Sequence, residues 1–336
     1  MQLNLSIVIV NYKSPQLIVD CLQTIFVNGT SDGPEVIVVD NSARDGSKEQ
    51  VMARFPSIKW VEMEYNSGFA RANNTGIRLA KNDTVLLLNP DTLNEGNAIA
   101  QCYQRLTTGD HIAAGVQLLN EDRTPQVSGN YFMKGGLNHL MALPYTGRWI
   151  RWVGLVFKVK KTNVPEAKGT VEVDWINGAF LMVKKLATES SGLLDEDFFL
   201  YSEEIEWCSR LKKKGTLCIY GDLHVIHLQG ESANAAFDSS GKGYSNLSDL
   251  KGGQIMLSGF VRIRKQFGAG WFLFHLFTYL FTIPVFFIIA LLRTLLFFSA
   301  RKREWNAFGG FTRNVFRCCG YCFTILRNKP HFYKLL

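Results

Sequence analysis

Three polar side chains stand where an apolar run ends. Asn11 follows Leu5-Ser6-Ile7-Val8-Ile9-Val10, Asp40 follows Val36-Ile37-Val38-Val39, and Asp91 follows Leu86-Leu87-Leu88 after one Asn and one Pro. A carboxylate at such a place can accept from a nucleobase imide or a ribose hydroxyl. It can also ligate a hard divalent cation, which needs one or two carboxylates when a diphosphate supplies the remaining oxygens. Asp40 reads for the first task and Asp91 for the second, with Asn89 adding an amide oxygen or orienting a water. Each acid alone has an ordinary reading as a turn residue. A second group lies further on, where Glu203-Glu204-x-Glu206 follows the aromatics Phe198, Phe199 and Tyr201. A helix dipole accounts for one or two acids in a first turn. A carboxylate held against a large apolar wall is also a candidate general base. His227 stands in His-Leu-Gln-Gly-Glu-Ser, with Gly230-x-Ser232 after it. Asn66 to Gly76 crowds small and amide residues at a predicted helix start, where a ligand backbone can approach and phosphate is favoured.

These residues need elements to hold them. Residues 5–10 and 35–39 are short β-branched runs of the kind found in buried parallel strands. Between them Ser14 is placed as an N-cap and Pro15 in the first turn of a helix. Residues 58–61 and 84–88 read as further strands, 68–80 and 94–106 as helices, and 111–119 as another strand. This alternation predicts a doubly wound sheet with right-handed crossovers, and ligands in such sheets bind beyond the carboxyl ends of the strands. Residues 125–170 read as a long loop or lid. Strand character returns at 171–185, a helix ends near Gly215, and residues 216–230 read as a last strand pair. No internal repeat is present.

The net charge of +8 is local, because from residue 259 onward Glu304 is the only acid among many Arg and Lys. This basic tail surrounds Trp271 to Leu292, a stretch with no formal charge that is long enough for a bilayer core. The pairing points to an anionic membrane surface and not to nucleic acid. Pro284 divides the stretch, and Arg262, Arg264 and Lys265 precede it while Arg301, Lys302 and Arg303 follow. One span would export the second cluster against the positive-inside tendency. A bent hairpin or an in-plane anchor keeps both clusters in the cytoplasm. The seven cysteines are irregularly spaced and Met1 to Val10 lacks a leader pattern, which predicts a reduced, cytoplasmic setting.

The segments Ile7-Val8-Ile9-Val10-Asn11-Tyr12-Lys13-Ser14, Val38-Val39-Asp40-Asn41-Ser42, residues 66–76, Leu86 to Thr92, Asn177-Gly178-Ala179-Phe180, residues 193–215 and residues 227–232 together resemble the family 2 glycosyltransferases. The branch they resemble is the rhamnosyltransferase-like group of bacterial surface-polysaccharide synthesis, over about residues 3–235. The resemblance implies the GT-A fold, a mixed α/β sheet flanked by helices, over residues 1–258. It divides that domain into a nucleotide-sugar half at 1–120 and an acceptor half at 121–258. Residues 259–336 then form an apolar, basic, membrane-associating helical tail. Also implied are an inverting transfer, Mg2+ or Mn2+, a dTDP- or UDP-linked sugar donor and a saccharide or polyprenyl-diphosphate acceptor. The implied setting is the cytoplasmic face of a bacterial inner membrane. Carried over by position, Asn11, Tyr12, Asp40 and Asn41 line the base and ribose pocket, and Gly68, Phe69, Ala70, Asn73 and Asn74 border the donor. Asp91 is the remaining acid of the metal element whose first position is Asn89, and His227 assists the metal. Gly178 and Ala179 shape the acceptor side. Glu204 is the base, with Glu203 as the alternative. Ser202 departs from the family's aromatic, and Glu204 is one methylene longer than the usual Asp. A non-catalytic sugar-nucleotide-binding partner is the competing reading. A sugar nucleotidyltransferase ranks lower, since the first strand lacks a Gly-rich basic loop for a triphosphate.

Overall fold

The computed structural model describes residues 3–26, 33–42, 44–228, 246–296 and 301–335; Gly230-x-Ser232 and the Arg301 side chain lie outside them. The chain forms two compact units. The first comprises Met1–Tyr131, Asn163–Phe199 and Glu203–Ala236, and the second comprises Phe132–Thr162, Leu200–Ser202 and Phe237–Leu336.

In the first unit β1 (Leu5–Asn11), β2 (Glu35–Asp40), β3 (Lys59–Glu62) and β4 (Thr84–Leu88) pair in parallel in the order β3-β2-β1-β4. The connecting helices are α1 (Pro15–Ile25), α2 (Ser47–Met52) and α3 (Gly68–Leu79). β1 is buried along its whole length because both faces are covered. Ile7 and Ile9 pack on one side with Ile18 and Leu22 of α1, while Val8 and Val10 pack on the other with Ala72 and Ile77 of α3. Two covered faces are the reason the strand is a continuous apolar run and not an alternating one. Beyond β4 the sheet becomes mixed. The strands β5 (Thr92–Asn94), β6 (Ala113–Leu119), β9 (Thr170–Val173), β11 (Phe180–Lys184) and β12 (Leu217–His227) complete it. β11 runs antiparallel to both β4 and β6, β12 lies parallel to β6, and β5 and β9 pair antiparallel with different stretches of β12. The helices here are α4 (Ala98–Thr108), α6 (Lys185–Ser191) and α7 (Glu203–Leu211), and a small second sheet joins β7 (Gly129–Asn130), β8 (Asn163–Val164) and β10 (Trp175–Ile176).

Three expectations change. The expected strand pair at 216–230 is, over its described residues, one strand: β12 carries a register shift between Tyr220 and His224, a bulge in place of a turn. Ser14 sits at the N-cap position of α1 without a side-chain cap bond; its hydroxyl instead faces Asn11 Oδ1 at 3.4 Å. The 125–170 region is not irregular throughout, since it contains 3-10 turns over Lys134–Ala142 and a helix, α5 (Thr146–Val156), both in the second unit.

The rest of the second unit is helical. α8 (Leu250–Phe267) starts with Asp249 accepting from the Gly252 amide at 2.7 Å. It is followed by α9 (Ala269–Leu296), α10 (Arg301–Gly320) and α11 (Cys322–Arg327). α9 continues through Pro284 as one helix of 28 residues, which removes the bent-hairpin alternative. The division expected at residue 258 falls inside α8.

The close packing of α3 on β1 gives a direct test. A Cβ at Gly76 meets Val8 Cγ1 at 2.3 Å. Gly76→Ala therefore forces the helix off the sheet, with an expected loss of about 2 kcal/mol from overpacking. Urea unfolding of the full chain measures it, and an unchanged midpoint contradicts this packing.

Candidate functional site

The parallel register places Asn11 opposite Asp40. Asp40 is buried, and its Oδ1 accepts from Asn11 Nδ2 at 2.9 Å and from the Ser42 amide at 3.0 Å. Asn11 Nδ2 also reaches Ser42 Oγ at 3.2 Å, and that hydroxyl accepts from the Lys13 amide at 2.7 Å. Both bonds to Asp40 fall on one oxygen, so the carboxylate is oriented while keeping acceptor capacity at Oδ2. Tyr12 is half-buried beside it, with Lys13 Nζ 5.6 Å from its ring centroid.

Asn41 is a staple. Its Oδ1 accepts from the amide and hydroxyl of Ser67 at 2.8 and 2.9 Å, and its Nδ2 donates to Asn66 Oδ1 at 3.0 Å. This amide holds the start of α3 against the end of β2. Gly68 there has φ +80, and a Cβ would lie 2.4 Å from the Phe199 carbonyl oxygen. Phe69 donates its amide to that same oxygen at 2.8 Å. Only glycine fits, on both conformational and steric grounds. Ala70, Asn73 and Asn74 are buried. Asn73 Nδ2 donates to the Phe69 carbonyl at 2.9 Å. Asn74 donates to the Leu194 carbonyl at 2.8 Å and to Glu196 Oε1 at 3.0 Å, tying α3 to the loop that leads to Phe198 and Phe199. Asn74 thus positions the loop, while Asn73 closes on its own helix.

At the end of β4, Asn89 donates its amide to the Ala179 carbonyl at 3.0 Å, and its own carbonyl accepts from Thr92 Oγ1 at 2.7 Å. Antiparallel pairing sets His227 opposite Thr92, beside Asp91. His227 Nε2 lies 3.4 Å from Asp91 Oδ1 and 3.5 Å from Asn89 Nδ2. Its Nδ1 is 2.9 Å from Gln126 Oε1. The Gln126 amide nitrogen is already donating to the His227 carbonyl at 2.6 Å and to Asn120 Oδ1 at 2.8 Å. The facing oxygen therefore accepts, Nδ1 carries the proton, and the Nε2 lone pair faces a carboxylate oxygen. Two electron-rich atoms so placed attract only with a proton or a cation between them. A divalent ion about 2.0–2.2 Å from each is compatible with their spacing, and an imidazole held through its other nitrogen is the usual support for a ligating histidine. No group of three or more His, Cys, Asp and Glu side chains suited to a metal occurs among the described residues. Asp91 and His227 are thus the pair that would hold an ion. Burial pushes the nearby Cys21 thiol up to about 12, the Thr92 hydrogen bond opposing and the charge of Asp91 adding.

Tyr201 and Ser202 precede α7 with φ +72 and +69, two adjacent left-handed residues without a glycine. Backbone strain of this kind persists where the surroundings dictate it. It sets the direction of the acids that follow. Glu203 is 2% exposed, whereas Glu204 is half-buried. A Cβ on Gly178 would lie 3.3 Å from Glu204 Cγ, so Gly178 and Glu204 pack side by side. Glu206 is spent elsewhere, paired with Arg210 at 2.7 Å.

Sequence reading singled out neither Gln126 nor Ser42. Gln126 contacts His227 across 101 positions, with no local pattern to mark it. Ser42 was recognisable as the residue that follows Asp40-Asn41 in the turn.

An open sheet with its polar groups gathered at strand ends has the layout in which ligands bind beyond those ends. Residues 6–157, a little under half of the chain, match the glycosyl transferase family 2 model. It is 30% identical over 220 residues to the low-salt glycan biosynthesis hexosyltransferase Agl10 of Haloferax volcanii, covering 63% of this chain and 62% of that relative. It is 24% identical over 215 residues to the N-acetylglucosaminyl-diphospho-decaprenol L-rhamnosyltransferase of Mycobacterium tuberculosis, covering 59% of this chain and 67% of that relative. The mannosyltransferase PcManGT from Pyrobaculum calidifontis, solved with GDP-Man and Mn2+, aligns with a TM-score of 0.53 at 14% identity over 95% of this chain and 87% of its own. The fold is thus GT-A, as the sequence resemblance implies.

The Glu196 clamp carries a pH signature. Burial raises its pKa, but hydrogen bonds from Asn74 and Arg78 outweigh this and hold the carboxyl below its ordinary 4.5. The stability it adds is present above pH 4.5 and is lost as pH falls through the lowered folded value. Glu196→Gln is expected to flatten the acid limb of the unfolding midpoint between about pH 5 and 3. Parallel acid limbs in the two proteins contradict the clamp.

Proposed function

We propose that the first unit is a divalent-cation-dependent, inverting glycosyltransferase. Its donor is a dTDP- or UDP-linked rhamnose or related sugar, and its acceptor a saccharide or polyprenyl-diphosphate-linked glycan in cell-surface polysaccharide synthesis at the cytoplasmic face of a membrane. The carrying observation is the Asp91–His227 pair, whose imidazole is held at Nδ1 by Gln126 so that Nε2 faces the carboxylate. The relative named as acting on N-acetylglucosaminyl-diphospho-decaprenol supports a lipid-linked acceptor, and the mannosyltransferase solved with a nucleotide sugar and Mn2+ supports the donor class and cation. Among the described residues one helix, α9, is long and apolar enough to cross a membrane, which suits an acceptor that resides in lipid.

When bound, Mg2+ or Mn2+ neutralises the charge that develops on the departing diphosphate. Asp91 and His227 would hold it, and Gln126 fixes the imidazole through Nδ1. Asp40 accepts from the base or ribose with Oδ2, its other oxygen being spent on Asn11 and Ser42. Asn41 maintains the turn that brings Gly68, bare of a side chain, to the donor. Glu204, partly exposed against Gly178, takes the acceptor hydroxyl proton as the acceptor oxygen bonds to the anomeric carbon. The bond from that carbon to the diphosphate oxygen breaks on the opposite side, so the configuration inverts. Gly178 and Ala179 leave room for the acceptor.

Nucleoside diphosphate release with a purified lipid-linked acceptor is expected to fall roughly 10²–10⁴-fold in Glu204→Gln, and Asp91→Asn is expected to fall comparably. The two variants should part in binding. Nucleotide-sugar with Mn2+ at a hundred times its dissociation constant stabilises the native protein by about 2.7 kcal/mol. That thermal shift should survive in Glu204→Gln and be lost in Asp91→Asn. Unchanged turnover in both variants sinks the assignment.

A further inference from the structure

α9 buries polar groups among apolar ones and leaves large apolar side chains outside. Its buried seam carries the polar side chains His275, Tyr279, Thr282 and Thr294. His275 Nε2 lies 2.9 Å from the Gly135 carbonyl oxygen, Thr282 Oγ1 bonds with Thr146 Oγ1 at 2.9 Å, and Trp305 Nε1 donates to Thr294 Oγ1 at 2.9 Å. The outward side, followed through Leu273, Phe277, Phe281, Ile288 and Leu295, is apolar and 46% to 67% exposed. The stripe runs about 35 Å at roughly 1.5 Å per residue. A water-facing surface would place polar groups there, and an exposed apolar patch of this extent marks an interaction site.

Length and hydropathy alone permit α9 to cross a bilayer, but α10 argues against it. α10 runs antiparallel along α9, with ring centroids of Trp305 and Phe287 5.6 Å apart, Phe308 and Phe286 5.6 Å, and Phe311 and Tyr279 6.3 Å. Its other side exposes Lys302, Arg303, Arg313 and Arg317. A perpendicular α9 would carry those cations into hydrocarbon, where charge is costly. In the plane of the interface they reach headgroups.

α5 supplies a second element with the same chemistry. Its root is fixed to the middle of α9 by Thr146 on Thr282 and by the Tyr145 ring 5.2 Å from Phe286. It exposes Trp149, Trp152, Val153 and Val156 at 64%, 65%, 44% and 57%, an i, i+3, i+4, i+7 face. Arg148 and Arg151 flank that face, and no acid occurs between Asp122 and Glu166. Tryptophan with basic residues is the composition of a helix at an anionic lipid interface.

We propose that α9 and α5 form a monotopic seat on an anionic bilayer, in which α9 lies in the plane of one leaflet with its outward stripe at the acyl boundary and Trp149 and Trp152 at headgroup level, and crosses nothing. This concerns the second unit and stands apart from the donor-site reading.

The test uses the full chain, with Cys319 and Cys322 replaced by serine, added to sealed phosphatidylcholine vesicles containing about 30% phosphatidylglycerol. Gly270→Cys in the first turn of α9 and Lys302→Cys in the first turn of α10 flank α9 at exposed positions. Both are expected to react with an impermeant maleimide from outside. A nitroxide on Phe281→Cys is expected to lie about 5–10 Å below the headgroup boundary. Separately, Trp149→Phe with Trp152→Phe should remove a component of tryptophan emission that shallow brominated lipids quench. Protection of one end shows a span and overturns the proposal. Two reactive ends with the nitroxide at the midplane show re-entry and overturn it too. Dimer formation in detergent, unchanged on adding vesicles, would assign the stripe to a second copy.

Discussion

Burial of the central strands on both faces is the constraint from which the first unit follows. β1, β2 and β4 present almost nothing polar along their length, so a side chain that must meet a soluble ligand can emerge only where a strand ends. Asn11, Asp40 and Asp91 do so at neighbouring strand ends, because parallel pairing puts those ends on one edge of the sheet. The antiparallel strand β11, inserted beside β4, then brings Asn177 to Ala179 to the same edge, where the Asn89 amide meets the Ala179 carbonyl. The site is a consequence of register.

The chain holds that edge with amides more than with charges. Asn11, Asn41, Asn74 and Gln126 each make two or more side-chain hydrogen bonds that fix a neighbour. An amide has donor and acceptor in one plane, so it can lock a turn without altering local charge. The asparagines from Asn66 to Asn74 brace the turn and the first half of α3 in this way.

The parallel half was legible because β-branched runs, helical spacing and Pro15 are local signals. The ends of strands were legible for the same reason, since an apolar run must stop somewhere visible. Gln126 was not, because its partner His227 is distant in sequence and only pairing of β12 with β5 and β6 unites them. The long β12 was misread as two strands because Gly221-Asp222 looks like a turn, whereas the neighbouring strands absorb it as a bulge. α5 was missed because its apolar face serves no core. Continuity of α9 through Pro284 was equally hidden, since packing of Tyr279 and Thr282 on one side of the proline and Phe286 and Ala290 on the other overrides its tendency to break a helix.

The central claim is that Asp91 and His227 share a divalent ion when the donor binds. Electron spin-echo measurement on Mn2+ with a nucleoside diphosphate and the full chain tests it most directly, through coupling of the metal to an imidazole nitrogen. The account predicts a nitrogen modulation that disappears in His227→Gln, while Asp91→Asn releases the ion to the spectrum of free Mn2+–nucleotide. A protein-bound Mn2+ spectrum identical in all three proteins would contradict it.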